Sequence, residues 1–396
     1  MDILLSHTSA LAYLREHSAD MTFERSTHVA HAPMTVPPPD VMRRLPAPDG
    51  CVHVLVGKPA ARRVRPGACV HVETHALPTG TILRPPATSG RGLGGTLRVC
   101  CPELVFVQLA QSLALIPLIE LGYELCGTYS VRPSDGELVQ RPPLTTPNRI
   151  DRTIRRCGDL RGTRLARRAL QFVLPRSASP METALAMLLA LPPRLGGYGL
   201  PRPRLNEQLV VPRRLQADVG RSEAYPDIYF ADSREAVEYE SDEHHLSPEK
   251  YARDSQRRAI LSRMGVGVTT ISRIEMFDPQ LLDTSARSVA RRIDHRLRRL
   301  DDAWRRRRRT LRKTLLGPYQ ERLRSEGGRL AEPELDRALI ECQYGLDEWG
   351  NIVTWEEARQ RGISTRAAAS TSESAAADES ADELDRLEAG FWESVL

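Results

Sequence analysis

Two runs of β-branched and aromatic residues, Ala224–Phe230 and Ala236–Glu240, flank a tight turn at Ala231–Ser233. That spacing predicts an antiparallel hairpin. Residues two apart on a strand face the same way, so Glu238 and Glu240 project together, and the turn carries Asp227 across to them. Three carboxylates on one face repel, and their proton affinities rise unless a cation sits between them. An oxygen-only set of this kind points to Mg²⁺ or Mn²⁺. An ion so held can activate water and offset the charge on a scissile phosphate.

The flanking elements make the hairpin part of an α/β layer. Upstream, Ser179 is a helix cap, Pro180 takes the first helical position, and Met181, Leu185, Leu188 and Leu189 form an apolar face. The Pro-Pro and Gly-Gly-Tyr-Gly residues at 192–199 end that helix, and a strand is expected near Gln208–Val211. Downstream, a helix is expected over Pro248–Met264 and a β-branched strand over Val266–Ile271. The order is helix, strands, helix, strand, which defines an α/β fold.

On these residues the segment from about Ser179 to Ile274 resembles the PD-(D/E)XK superfamily, and within it the very-short-patch-repair-like endonuclease domain. Glu182, in a Ser-Pro-Met-Glu context, stands at that family's helix acid, Asp227 at its hairpin acid and Glu238 at its Glu. Glu240 replaces the family's Asp and Ser241 its Gly, while His244 falls at its His. Arg253, Asp254, Arg257 and Arg258 match its Arg/Asp helix. The resemblance covers roughly a quarter of the chain. It implies catalysis by Asp227, Glu238, Glu240, His244 and Glu182, with a Mg²⁺ or Mn²⁺ ion on Asp227, Glu240 and Glu238. It also implies phosphate contacts from Arg253, Arg257 and Arg258. The Glu-Ser substitution lengthens a ligand arm and removes a hinge, which leaves the fold intact and weighs against catalysis.

Ahead of this segment, residues 1–20 read as one short helix. Cys51–Val56, Ala68–Val72 and Gly95–Cys100 read as strands, and Pro102 opens a helix of about fifteen residues. Residues 135–147 read as a polar connector and Ile150–Ala169 as a basic helix. Leu4–Leu11 and Cys101–Ala110 resemble, more loosely, the middle region of type IV antitoxin-like abortive-infection regulators. The string Gly90, Gly92, Gly94, Gly95 follows a Pro-rich loop rather than a strand and does not read as a phosphate loop.

The second charged feature lies toward the C-terminus. From Arg287 to Arg324 there are 15 Lys/Arg against 4 Asp/Glu, and from Thr371 to Leu396 there are 8 Asp/Glu against one Arg. Residues 287–316 read as one helix with a narrow apolar stripe of Val289, Ile293, Leu297, Leu300, Trp304, Leu311 and Leu315. Arg305, Arg306, Arg307, Arg308 and Arg309 follow Trp304 directly and are suited to track a phosphate backbone, while the stripe can dock on the α/β core. Thr365–Ser380 has the composition of a disordered segment. The acidic tail is complementary in charge to the basic helix and is expected, from that charge asymmetry, to compete with nucleic acid for it.

The expected organisation is therefore a small α/β module (1–147), a basic helical connector (148–178) and a restriction-endonuclease-like core with a mixed sheet flanked by helices (179–275). A basic helical extension (276–330) and a polar, acidic tail (331–396) follow. Seven cysteines, odd in number and without a CxxC, argue against a disulfide framework or a zinc finger and fit a reducing cytoplasm. No signal-like or membrane-spanning apolar run is present, so neither secretion nor a membrane partner is expected. The expected activity is metal-dependent hydrolysis of DNA, in phage defence or repair. The alternative is a catalytically degenerate DNA-binding regulator, or an antitoxin-like component with a cognate toxin as partner.

Overall fold

The computed structural model describes residues 2–17, 23–34, 36–58, 66–86, 95–158, 160–240, 258–297, 301–325, 344–346 and 352–354. The chain divides into two compact units, Met1–Arg322 and Leu323–Leu396. The protein is of mixed α/β class. No helix among the described residues is long and apolar enough to cross a membrane.

The first unit opens with β1 (Asp2–Leu5), where the sequence predicts one helix over residues 1–20; α1 (His7–His17) follows it. An apolar run as short as Ile3-Leu4-Leu5 does not distinguish strand from helix by itself. Burial of all three decides for an inner strand. Next come β2 (Glu24–Arg25), the short α2 (Pro39–Met42), β3 (Val52–Val56), β4 (Ala68–Val72), β5 (Ile82–Arg84) and β6 (Thr96–Cys100). These strands form one six-stranded mixed sheet in the order β2-β5-β6-β1-β3-β4. In it β1 runs parallel to β6 and antiparallel to β3, and β4 is parallel to β3.

Three helices expected to be continuous are broken. The one opened by Pro102 divides into α3 (Pro102–Leu109) and α4 (Leu115–Cys126), with Pro117 in the first turn of α4, where its missing N–H costs nothing. A hairpin of β7 (Tyr129–Val131) and β8 (Leu138–Gln140) follows, in part of the stretch read as connector. The basic helix divides into α5 (Pro147–Cys157) and α6 (Thr163–Leu170), because Gly158 and Gly162 take φ of +54° and +91°, outside the right-handed helix.

The next helix, α7 (Pro180–Ala190), is formed as its sequence predicts. Pro180 occupies its first position, and the Ser179 hydroxyl accepts from the Glu182 N–H at 3.1 Å. It is buried from Thr183 through Leu189 because it packs against α4 and against the second sheet. That sheet draws on β9 (Arg204–Leu205), with the small pair β10 (Leu209–Val210) and β11 (Glu223–Ala224) flanking α8 (Arg213–Val219). Then come β12 (Ile228–Phe230), β13 (Glu235–Glu240), the helical residues 258–263 (α9) and β14 (Gly267–Ser272). The order is β14-β13-β12-β9, with β9, β12 and β13 antiparallel in turn and β14 parallel to β13.

The third break falls in the stretch expected as one helix over 287–316. After α10 (Arg273–Phe277), α11 (Pro279–Arg292) ends where Asp294 takes φ +52°. The His295 N–H reaches the Ala290 carbonyl at 2.8 Å, and the Asp294 N–H reaches that of Arg291 at 3.2 Å, a Schellman ending. A new helix, α12 (Asp302–Ser325), is capped by Asp301, whose Oδ1 accepts from the Trp304 N–H at 2.7 Å. Trp304, Arg308, Leu311 and Leu315 line its buried face. Its backbone passes so close to Gly196 that a Cβ there would stand 2.6 Å from the Arg307 carbonyl oxygen. One continuous apolar core runs from Ile3 in β1 to Leu316 in α12. In the second unit, β15 (Tyr344–Leu346) and β16 (Ile352–Thr354) pair antiparallel. The segment read as disordered, the acidic tail and the glycines Gly90, Gly92 and Gly94 lie outside the described residues.

Candidate functional site

The acids of the β12–β13 hairpin meet a helix acid under the second sheet. Register pairs Ile228 with Val237, which sets Asp227 beside Glu238 at the open end of the hairpin. Both are buried, at 5% and 3% exposure. The Asp227 N–H donates to Glu238 Oε1 at 3.3 Å, and Asp227 Oδ2 accepts from the Tyr239 N–H at 2.9 Å. Glu182 approaches from the first turn of α7. Its Oε2 accepts from the Ala178 N–H at 3.0 Å and from Asn206 Nδ2 at 2.9 Å. Burial, and secondarily the nearby charge of Asp227, push the Glu182 carboxyl up to about 7.

Glu240 takes a different course from the one expected. It is two residues beyond Glu238 on β13 and faces the same side, yet its carboxylate is half-exposed and pairs with Arg258 of α9 at 3.2 and 3.3 Å. This contact also engages Arg258, one of the arginines expected to hold phosphate. His244, Arg253, Asp254 and Arg257 lie outside the described residues. Among the described residues, no three carboxylates of this site bring donor oxygens within 4.8 Å of one another.

Asn206 is the residue that sequence reasoning missed here. It follows β9 with φ +45°, and its amide donates to Glu182 while its backbone N–H donates to the Asp227 carbonyl at 3.1 Å. One residue thus ties the carboxylate of the helix acid, through its side chain, to the main chain of the strand acid, through its backbone N–H. The available signal was an Asn directly after a short strand, since Asn tolerates the left-handed region better than most residues.

The five consecutive arginines do not form one surface. Arg306 and Arg309 are exposed and Arg305 and Arg307 partly so, but Arg308 is turned inward at 5% exposure. It pairs with Asp283 of α11 and stacks its guanidinium 4.6 Å from the Tyr198 ring centre and 5.0 Å from that of Trp304. The Trp304 indole N–H donates to the Gly197 carbonyl at 2.9 Å. Arg308 therefore departs from the expected phosphate-facing role, because the helical repeat places it on the same face as Trp304 and Leu311.

A second constellation, absent from the sequence reading, lies in the first sheet. His7, His53 and His71 are the only described His, Cys, Asp or Glu side chains to bring three donor atoms within 4.8 Å of one another. Its trace in the sequence is a repeated Val-His-Val on two strands, at 52–54 and 70–72, after an isolated His in the first turn. Comparison with protein-family models, with curated proteins and with solved structures found no match to this chain.

Proposed function

We propose that the segment 179–275 is a PD-(D/E)XK-type endonuclease core that hydrolyses DNA, as its resemblance to the very-short-patch-repair-like domain implies. The observation that carries the reading is the meeting of the buried Asp227 and Glu238 of the hairpin with the half-buried Glu182 of α7, bridged by Asn206. Buried carboxylates are costly unless a proton or cation compensates them. Support also comes from the second sheet, β14-β13-β12-β9, entered from α7 and closed by a strand, β14, that follows α9 and runs parallel to β13.

In donor chemistry the set fits a hard divalent cation, being oxygen only. Asp227 and Glu238 are the residues that would hold Mg²⁺ or Mn²⁺, and Glu240 could join them by leaving Arg258. A divalent ion there supplies a water of lowered pKa and charge to offset the phosphate. The protein's own contribution is positional. The Tyr239 N–H fixes Asp227, and Asn206 fixes Glu182, whose raised carboxyl can hold a proton near neutral pH. The exposed and half-exposed arginines of α12, Arg305, Arg306, Arg307 and Arg309, offer sequence-independent phosphate contacts.

The second reading is a DNA-binding regulator that keeps this core without catalysis, the antitoxin-like component included. The Glu240–Arg258 pair favours it, because it neutralises a carboxylate that a metal site would need. Cleavage of supercoiled and linear DNA in Mg²⁺ and Mn²⁺, beside Asp227→Asn, separates the two. Metal-dependent cleavage that falls at least 100-fold in the variant is the outcome expected of the nuclease. DNA binding by both proteins with cleavage by neither would assign the regulator instead.

A further inference from the structure

The three histidines of the first sheet are held in place by the fold rather than gathered on a loop. β1 ends at Leu5, and the chain turns into α1 through Ser6 and His7, with His7 at φ +48°. A non-glycine residue in that region is uncommon and persists where its surroundings fix it. Here the Ser6 N–H donates to the His53 carbonyl at 3.0 Å, and the His7 N–H donates to Gln108 Oε1 of α3 at 3.0 Å. His53 and His71 come from β3 and β4, whose parallel register pairs His53 with Cys69 and Leu55 with His71, so both project on one face. The His7 ring stacks on that of His71 with centroids 3.5 Å apart.

Partners outside the trio orient two of the rings. Asp49 Oδ2 lies 2.9 Å from His53 Nε2, and Ser6 Oγ lies 3.0 Å from His7 Nδ1. A carboxylate on the distal nitrogen of an imidazole fixes its tautomer and ring orientation, the usual support of a metal-ligating His. With Asp49 on Nε2, the His53 Nδ1 lone pair is turned to His71 Nε2 at 2.9 Å. Beside the cluster lies a cavity of about 350 Å³, with His7 and His71 in its wall together with Gln108, Gln111, Glu73 and Arg161.

We propose that His7, His53 and His71 bind one first-row transition-metal ion of the Zn²⁺ class through three ring nitrogens, with a remaining coordination position turned to this cavity. Three imidazoles with an open position are the donor set of Zn²⁺ sites that retain a water or an exchangeable ligand. Nitrogen donors select Zn²⁺, Co²⁺, Ni²⁺ or Cu²⁺ over Mg²⁺. Binding replaces the hydrogen bond between His53 and His71, and the two nitrogens open from 2.9 Å to roughly 3.3 Å, as tetrahedral ligands about 2.0–2.1 Å from one ion require. The site is independent of the carboxylates under the second sheet, which offer oxygen alone.

Co²⁺ titration of the full-length, tag-free chain tests this, followed by visible absorption and calorimetry, with Zn²⁺ as competitor and excess Mg²⁺ present throughout. One equivalent should bind saturably, give visible d–d bands without thiolate charge transfer, and be displaced by Zn²⁺. His71→Gln should lose at least 100-fold in affinity. Asp49→Asn, on a partly exposed loop, should lose about 10- to 100-fold while the protein stays folded by circular dichroism. The proposal is overturned by absence of saturable binding in the parent chain, by affinity unchanged in His71→Gln, or by a charge-transfer band that assigns the ion to Cys51 and Cys69. None of these results depends on whether the chain cleaves DNA.

Discussion

Glu182 shows how one side chain reports the state of a whole site. Its carboxyl is raised to about 7, first by burial and then by Asp227. A carboxyl raised in the folded state contributes stability below its ordinary value near 4.5, and that contribution is lost as pH rises through about 7. Glu182→Gln cannot ionise, so its stability should gain on the parent by about 2 kcal/mol between pH 5 and pH 8 in EDTA, read from urea midpoints. A gap that stays flat with pH would mean the carboxylate is accommodated without cost. Arg308 makes a complementary case, since it is buried between two rings and paired with Asp283. Arg308→Ala should cost about 3 kcal/mol by removing the cation paired with that carboxylate, which would keep only the Tyr198 hydroxyl as partner, whereas Arg306→Ala on the exposed face should stay within about 0.5 kcal/mol.

At the scale of elements, helix ends carry much of the specification. Asp301 opens α12 by accepting from the Trp304 N–H, and Asp301→Ala should cost about 1 kcal/mol in thermal or urea unfolding. The same residue explains what was legible. The apolar stripe from Val289 to Leu315 is plain in the sequence, but Asp294 and Asp301 read there as charges in a basic run. Only the backbone angle and the hydrogen bonds show one at the left-handed position of a Schellman ending and the other at a cap. By contrast α7 was fully legible, because Ser179, Pro180 and the apolar run agree at every level. The hairpin carrying Asp227 and Glu238 was legible as a hairpin, because strand alternation and a tight turn are local signals, but the strand expected over Ala224–Phe230 divides into β11, which pairs with β10, and β12, and the turn holds four residues, 231–234. The histidine cluster was not, because β1, β3 and β4 meet through long-range parallel and antiparallel pairing that leaves no mark in a short window. Asn206 escaped for the same reason: its partners lie on α7 and at the mouth of the hairpin.

For the whole molecule, charge is the feature with the longest reach. If Arg306 and Arg309 touch phosphate, replacing both with Ser should lower the slope of log affinity against log salt by about 2, measured on a duplex of any sequence. An unchanged slope would remove α12 from the interface. Deleting residues 371–396, with its 8 acidic residues against one arginine, should tighten DNA binding at low salt, and equal affinity would dismiss the tail as a competitor. Both tests stand apart from cleavage, so they apply to the nuclease and the regulator alike.

The placement of α7 also governs how the chain can be dissected. Buried from Thr183 to Leu189, it lies against α4 on one side and β13 on the other, and its Thr183 hydroxyl is within hydrogen-bond reach of the Tyr129 phenol at 2.9 Å. A fragment begun at 179 would carry the acidic site away with a greasy, uncovered flank, and one ended at 178 would open the mirror wound along α4. Neither half is a sound reagent, and an insoluble truncation would say nothing about activity.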